Sequence, residues 1–373
     1  MRPSRPIRVT HLIAPVRFGG GEALLTDLLA SPRDDLIESV VTVGLAPVLE
    51  SGLAASGVRV LALGRREAGM ERAGRATELA RAVPLIAELR RHVRELAPDV
   101  IHSHGFPPSL LAALPLGSPV GRVYMHHYER QPPGRTEQAF LGAVFNRYDR
   151  LTTPADHLTD AMNRHFPHLR RPFTTLRAGL ADRFYQGTPS STWRRALPSC
   201  TSIGVSVGRL VDTKNQRLII ESLAALDPED RDGLGVLLVG SGPQEQELKD
   251  LVASTGLHDR VAFLGQVERA AMPDLLASAD FGLFPTTTEA SSLAAGEALA
   301  AGLPIVCLDI PSMVETVGAA GMVGPPASFG ANMASMARTH GRFADAVRSR
   351  AKRYEMATVR STWAGLYHEV IEG

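Results

Sequence analysis

Short β-branched runs alternate with longer amphipathic segments along almost the whole chain, and that alternation restricts the fold more than any other feature. In the first half the runs are IRVTHLIA (7–14), SVVTVG (39–44), VRVLAL (58–63), DVIHSH (99–104) and GRVYMH (121–126). RLTTP (150–154) and FTTLRA (173–178) are weaker runs of the same kind. The second half holds IGVSVGRL (203–210), GVLLVG (235–240), RVAFLG (260–265), DFGLFP (280–285) and PIVCLD (304–309). Between them lie helical patterns such as 84–96, where Leu85, Ile86, Leu89, Val93 and Leu96 form one stripe. Strand–helix alternation of this kind predicts parallel sheets covered by helices on both faces. At 373 residues the chain suits two such domains better than one core.

The alternation breaks at DRFYQGTPSSTWRRALPS (182–199), rich in Pro, Ser and Gly, where an interdomain linker is expected. The fold class expected is therefore α/β, with two Rossmann-like doubly wound domains facing across a crevice. A ligand belongs at the strands' C-terminal ends.

Composition narrows the function classes. A net charge of +1 gives no global reason to expect a nucleic-acid partner. The two cysteines, Cys200 and Cys307, stand far apart, which fits a reduced, cytoplasmic chain without structural disulfides. The start reads as a first strand, broken by His11 and Pro15, and not as a signal peptide. The arginine-rich stretch 64–97 offers a basic helical face to anionic lipid. Acids interspersed among those arginines favour a solvated helix instead, so membrane contact is not the favoured reading.

The residues that carry chemistry sit at strand ends. FGGGE (18–22) follows the first strand and precedes an apolar run, which suits backbone N–H groups approaching an anion. It lacks the third glycine of a dinucleotide fingerprint, because position 24 is Leu. Arg209, just past a strand, and Lys214, near the next helix start, pair a flat fork with a mobile point charge. Such a pair suits two adjacent phosphates. GSGP (240–243) reads as a structural turn, and DRD (230–232) as exposed charge in a polar loop.

In TEASSLAAGE (288–297) two acids stand eight positions apart among small residues. Glu289 is expected at the end of a loop, with a helix starting near Ser291 or Ser292, both good N-caps. Glu297 then lies two turns along that helix. Carboxylates accept from vicinal hydroxyls, and helix-start N–H groups near Ser292 and Leu293 suit a phosphate. Histidines cluster at HSH (102–104) and MHH (125–127). No Cys or acid completes a tetrahedral set at useful spacing, so no metal is expected there. Action on substrate hydroxyls fits those histidines better.

Taken in order, GGGE, PDVIHSHG, LRAGLADRFY, VGRLVDTKN, GSGP, VAFLG and the Glu289–Glu297 spacing resemble a known family. It is that of the retaining, nucleotide-sugar-dependent glycosyltransferases of the two-Rossmann-domain (GT-B) type, family 4 (group 1). The likeness spans nearly the whole chain. It implies an acceptor domain over 1–185, a donor domain over 186–345, and a helix over 346–373 crossing back to the first domain. Residues 342–372 look like that closing helix.

Carried over from the resemblance, Arg209 and Lys214 neutralise the donor diphosphate, and Gly20 and Gly21 bring backbone N–H groups to it. Glu297 holds the ribose, Glu289 contacts the transferred sugar, and the backbone near Leu264 meets the base. Ser291, Ser292 and Leu293 also line the donor. His127 matches the family's histidine near donor sugar and acceptor, with Arg17, His104 and His126 expected on the acceptor side. No cofactor is implied, only a nucleotide-sugar co-substrate, expected to be a UDP-sugar.

The family usually has Gly-Phe-Gly-Leu after the first Glu; here the residues are Ala290, Ser291, Ser292 and Leu293. Bulk is lost and two hydroxyls are gained where backbone meets sugar, so the donor sugar does not carry over. Arg177 replaces the usual Asn before Ala178 and Gly179.

Lys214, Lys249 and Lys352 are the only lysines, and alanine is abundant, a pattern of GC-rich genomes. On that ground the expected acceptor is a small molecule such as an aminocyclitol or other antibiotic precursor. A polysaccharide or glycolipid acceptor, and a nucleotide-sugar epimerase of the same fold, are the competing readings.

Overall fold

Twelve of the thirteen strands among the described residues fall where the β-branched runs predict them. The computed structural model describes residues 5–14, 20–54, 56–67, 75–129 and 132–373. The chain forms two compact units, Met1–Gly179 with Met356–Gly373, and Leu180–Glu355.

In the first unit the strands are β1 (Ile7–Ile13), β2 (Leu36–Leu45), β3 (Arg59–Glu67), β4 (Val100–His104), β5 (Gly121–Met125), β6 (Arg150–Thr153) and β7 (Phe173–Thr175). They pair in parallel in the order β3-β2-β1-β4-β5-β6-β7. The second unit holds β8 (Ser202–Val207), β9 (Leu234–Val239), β10 (Val261–Gly265), β11 (Phe281–Phe284), β12 (Ile305–Leu308) and β13 (Gly321–Gly324). These are also parallel, in the order β10-β9-β8-β11-β12-β13. Both sheets reverse their winding beside their first strand, between β1 and β4 and between β8 and β11. Loops diverge there and leave room for a ligand.

Burial explains the unbroken apolar runs. In β9, Leu237 and Val239 pack into one cluster while Val236 and Leu238 pack into another on the opposite face. A strand covered on both sides has no use for polar alternation.

The helix Met356–Glu372 closes the first unit with Met356, Val359, Arg360, Trp363, Ala364 and Tyr367 buried. Their three- and four-residue spacing is one helical stripe. The chain enters the second unit at Leu180 and leaves it at Glu355, and these two residues form a parallel bridge. Leu180 N–H also donates to the Tyr354 carbonyl at 2.8 Å.

Four local expectations change. Segment 182–199 is folded onto the second unit and is not a free linker. Thr188 N–H donates to Asp274 and Ser190 N–H to Ser278, both at 2.8 Å, and Arg194 bonds Asp280 at 3.2 Å. Residues 342–372 are not one helix: Ala344–Ala351 belongs to the second unit, and a break at Glu355 precedes the helix that returns to the first. Within DRD, Asp230 and Arg231 lie in the short helix Pro228–Arg231 and not in a loop, and Asp230 pairs with Arg338 at 2.7 Å. Strand β13, GMVG, was not expected, since two glycines and four residues carry almost no strand signal.

Candidate active site

The loops after β8 and β11 flank the winding reversal of the second sheet, and they bring together two of the expected residues. After β8 the chain turns through Arg209 into a 3-10 helix, Asp212–Lys214. Asn215 then takes a left-handed conformation (φ 54°) that lets the helix Gln216–Ala225 start at a new angle. The Thr213 carbonyl accepts from the Thr286 hydroxyl and from Thr287 N–H, both at 2.9 Å. Those bonds tie the two loops together, and Lys214 Nζ forms an ion pair with Glu289. Both side chains keep partial solvent contact, 26% for Lys214 and 19% for Glu289. Arg209 is exposed and makes no ion pair among the described residues. The buried Gln216 steadies the turn by donating to the Arg209 carbonyl at 3.1 Å.

The GSGP turn packs against the same loop. A Cβ on Gly240 (φ 130°) would sit 2.0 Å from the Gly208 carbonyl oxygen, so this approach needs glycine.

The opening of the helix Leu293–Ala300 follows the expectation closely. Ser292 is its N-cap, accepting from Ala295 N–H at 3.4 Å, and Ser291 stands half-buried before it. Leu293 packs at the margin of the core. The small residues have a packing reason: a Cβ on Gly296 would lie 3.3 Å from the Leu180 side chain. Glu297 is buried, and Arg269 Nη2 donates to its Oε1 at 2.8 Å. The Arg269 guanidinium also sits 5.3 Å from the Phe184 ring centre. Leu264, in β10, is half-buried against the core.

The first unit gathers His11, His102 and His104 in one cluster. His11 of β1 lies opposite His102 of β4, and His104 projects from the same side two residues on. Trp363 and Tyr367 cover them, with ring centres of His102 and Trp363 4.9 Å apart and the Tyr367 hydroxyl 2.8 Å from His102 Nδ1. His104 Nδ1 is 3.1 Å from His127 Nε2. His126 turns the other way and is buried with Nδ1 2.9 Å from the Tyr124 hydroxyl. Burial pulls the His127 pKa down to about 4, and burial with neighbouring histidines holds His102 and His104 well below the ordinary range. Neutral imidazoles that donate and accept hydrogen bonds follow from this.

Gly20 and Gly21 begin the helix Gly20–Leu29, directly after the undescribed residues 15–19. Arg17 lies outside the described residues. Sequence reasoning missed Arg269, His11, Glu38 and Arg360. His11 shares strand position with His102, yet that pairing needs the sheet order. A charged residue inside the apolar stripe of the last helix was the available signal for Arg360.

Ring nitrogens of His11, His102 and His104 all lie within 4.8 Å of one another, a grouping that spacing in sequence did not reveal. His102 and His104, however, stack at 4.5 Å with 26° between their planes. Lone pairs lie in the ring planes, so near-parallel rings do not converge on one ion about 2.0–2.1 Å from each nitrogen.

Comparison with known proteins follows the same division of the chain. A family model described as "Glycosyltransferase Family 4" matches residues 48–180, and one described as "Glycosyl transferases group 1" matches residues 192–333. A 2-deoxystreptamine glucosyltransferase of Streptomyces kanamyceticus is 33% identical over 30% of this chain and 29% of its own. A 2-deoxystreptamine N-acetyl-D-glucosaminyltransferase of Streptomyces fradiae is 27% identical over 64% of this chain and 61% of its own. Both matches span less than two thirds of the relative's length. The solved structure of Anabaena HepE in complex with UDP aligns over 97% of this chain and 100% of its own, with a TM-score of 0.77 and 20% identity. Two matched halves on a shared two-domain fold establish that the chain belongs to the family 4, group 1 glycosyltransferases of GT-B architecture.

Proposed function

We propose that the chain transfers a hexose or N-acetylhexosamine from a nucleotide-diphosphate sugar, with UDP as the favoured nucleotide, to a hydroxyl of a small acceptor such as an aminocyclitol. The observation that carries this reading is the tie between the loops after β8 and β11, which holds Lys214 and Glu289 together, with the exposed Arg209 earlier in the first of those loops. Two cations on one loop, one of them paired with an acid, suit a sugar diphosphate, whose phosphates need positive charge and whose hydroxyls need an acceptor.

In this reading Arg209 and Lys214 stabilise the charge that develops on the departing diphosphate, so no metal is required. The bond between the anomeric carbon and the diphosphate oxygen breaks as the acceptor oxygen bonds that carbon. The acceptor proton passes to the departing phosphate, and attack on the same face retains configuration. Glu297 takes the ribose hydroxyls and Glu289 the transferred sugar, while His127 offers a hydrogen bond to a substrate hydroxyl. The aminocyclitol choice is supported by two Streptomyces relatives whose names specify 2-deoxystreptamine.

The test is a panel of nucleotide-sugars screened by calorimetry, then by product mass with 2-deoxystreptamine, each with and without EDTA. Binding of a UDP-sugar and a mass gain of one sugar are expected. No donor binding, or turnover abolished by EDTA, refutes the metal-free transferase. Conversion of the donor into an isomeric nucleotide-sugar, with no UDP released and no acceptor needed, points to the epimerase instead.

A further inference from the structure

Five polar side chains of the first unit form one unbroken run of hydrogen bonds from a buried ion pair to His127. Arg360 Nη1 and Nη2 donate to Glu38 Oε1 and Oε2 at 2.9 and 2.5 Å. His11 Nε2 lies 3.2 Å from Glu38 Oε1, and His11 Nδ1 lies 3.0 Å from His104 Nε2. His104 Nδ1 in turn lies 3.1 Å from His127 Nε2. Glu38 and Arg360 are almost wholly buried, at 5% and 2% side-chain exposure, whereas His127 is partly open.

Such a run has a direction. A carboxylate only accepts, so the hydrogen between Glu38 and His11 belongs to His11 Nε2. Arg360 already balances the carboxylate charge, and a second cation there would be buried without a counter-charge. His11 therefore holds one proton and presents Nδ1 as a bare lone pair. His104 then donates from Nε2 and accepts at Nδ1, which obliges His127 to donate from Nε2.

We infer that Glu38 and Arg360, acting through His11 and His104, fix His127 as its Nε2–H tautomer and leave its Nδ1 a bare hydrogen-bond acceptor. That nitrogen has no partner among the described residues. The consequence rests on the glycosyl-transfer reading: the lone pair is offered to a hydroxyl of the donor sugar or acceptor. Glu38, Arg360, His11 and His104 are positioning residues, and only His127 would touch substrate.

The test is the ring-nitrogen NMR spectrum of the full chain labelled with 15N-histidine, in which bare and protonated nitrogens resonate far apart. Wild type is expected to show His127 protonated at Nε2 and bare at Nδ1. His11→Phe cuts the run but leaves Glu38 on Arg360, and should give a mixture of His127 tautomers. His11→Asn, whose amide oxygen restores an acceptor toward His104, should return the Nε2–H form. A wild-type His127 protonated at Nδ1 overturns the inference, as does an unchanged tautomer in folded His11→Phe. Joint shifts of His11, His102 and His104 on adding Zn2+ would also overturn it, assigning the cluster to a metal. Should His11→Phe not fold, the wild-type spectrum decides alone. These spectra need no substrate, so failure of donor binding leaves their outcome untouched.

Discussion

Arg269 donates to Glu297 at 2.8 Å while its guanidinium lies over Phe184, so one side chain from the loop after β10 serves two partners. Glu297 is 6% exposed at the side chain and Arg269 is 29% exposed. Removing one partner of a fully buried pair costs about 3–5 kcal/mol. Arg269 keeps some water, so Arg269→Ala should cost less, about 2–3 kcal/mol. Urea unfolding of the variant against wild type measures this. A loss below about 0.5 kcal/mol, the ordinary surface value, would show that the pair does not steady Glu297.

The ion pair of Lys214 with Glu289 predicts separable kinetic effects for the two acids. Charge-assisted hydrogen bonds are worth about 1.5–3 kcal/mol, roughly ten- to a hundredfold. Glu297→Ala should weaken donor binding by that factor, because its proposed contact is with the nucleotide in both ground and transition states. Glu289→Ala should lower turnover by a similar factor with donor affinity near wild type. Calorimetry with donor and steady-state rates together measure both, and the reverse pattern would refute the assignment of roles.

Periodicity exposed the fold because parallel strands covered on both faces leave long apolar runs, and twelve of the thirteen strands announce themselves that way. The thirteenth, GMVG, owes its place to pairing with β12, which no local signal encodes. The Ser292 cap was equally legible, since capping depends on neighbours a few positions away. Long-range partnerships were not. Arg269 with Glu297 joins residues 28 apart, and Arg360 with Glu38 joins residues 322 apart. Only the strand order β2-β1-β4, with the last helix laid over it, brings Glu38, His11 and His104 into one row. The last helix itself begins later than its composition implies, because Leu180 pairs with Glu355 and stops the preceding turn there.

The fork of Arg360 on Glu38 predicts a non-additive mutant cycle. Arg360→Leu leaves a buried carboxylate uncompensated and should cost about 3–5 kcal/mol. Adding Glu38→Leu removes that orphaned charge, so the double variant should be more stable than the single one. A residual cost of about 1–3 kcal/mol remains, because His11 Nε2 loses its acceptor. Urea midpoints of the three variants test the order, and simple additivity would mean the two residues are not coupled.

Acid should weaken the first unit in two stages. Burial depresses the folded-state pKa of His102, His104 and His127, the last to about 4 against an ordinary 6.5. Below pH 6.5 the unfolded chain takes up protons that the folded chain refuses. The stability these histidines confer is thus intact above that pH and is lost as pH falls toward 4. For His127 alone this amounts to at most about 3.5 kcal/mol, at roughly 1.4 kcal/mol per pKa unit. Glu38 behaves in the same direction at lower pH. Burial raises its pKa, but the hydrogen bonds from His11 and Arg360, with the Arg360 charge, outweigh that and bring it from 4.5 to about 2. Its contribution is present above pH 4.5 and lost as pH falls toward 2. Trp363 is buried in the first unit and Trp193 lies in the second, so Trp193→Phe leaves fluorescence that reports the first unit alone. In that background, urea midpoints at pH 7, 5.5 and 4.5 should fall steadily, and His127→Phe should flatten the decline. A midpoint constant from pH 7 to 4.5 would show that the histidines are not held neutral by burial.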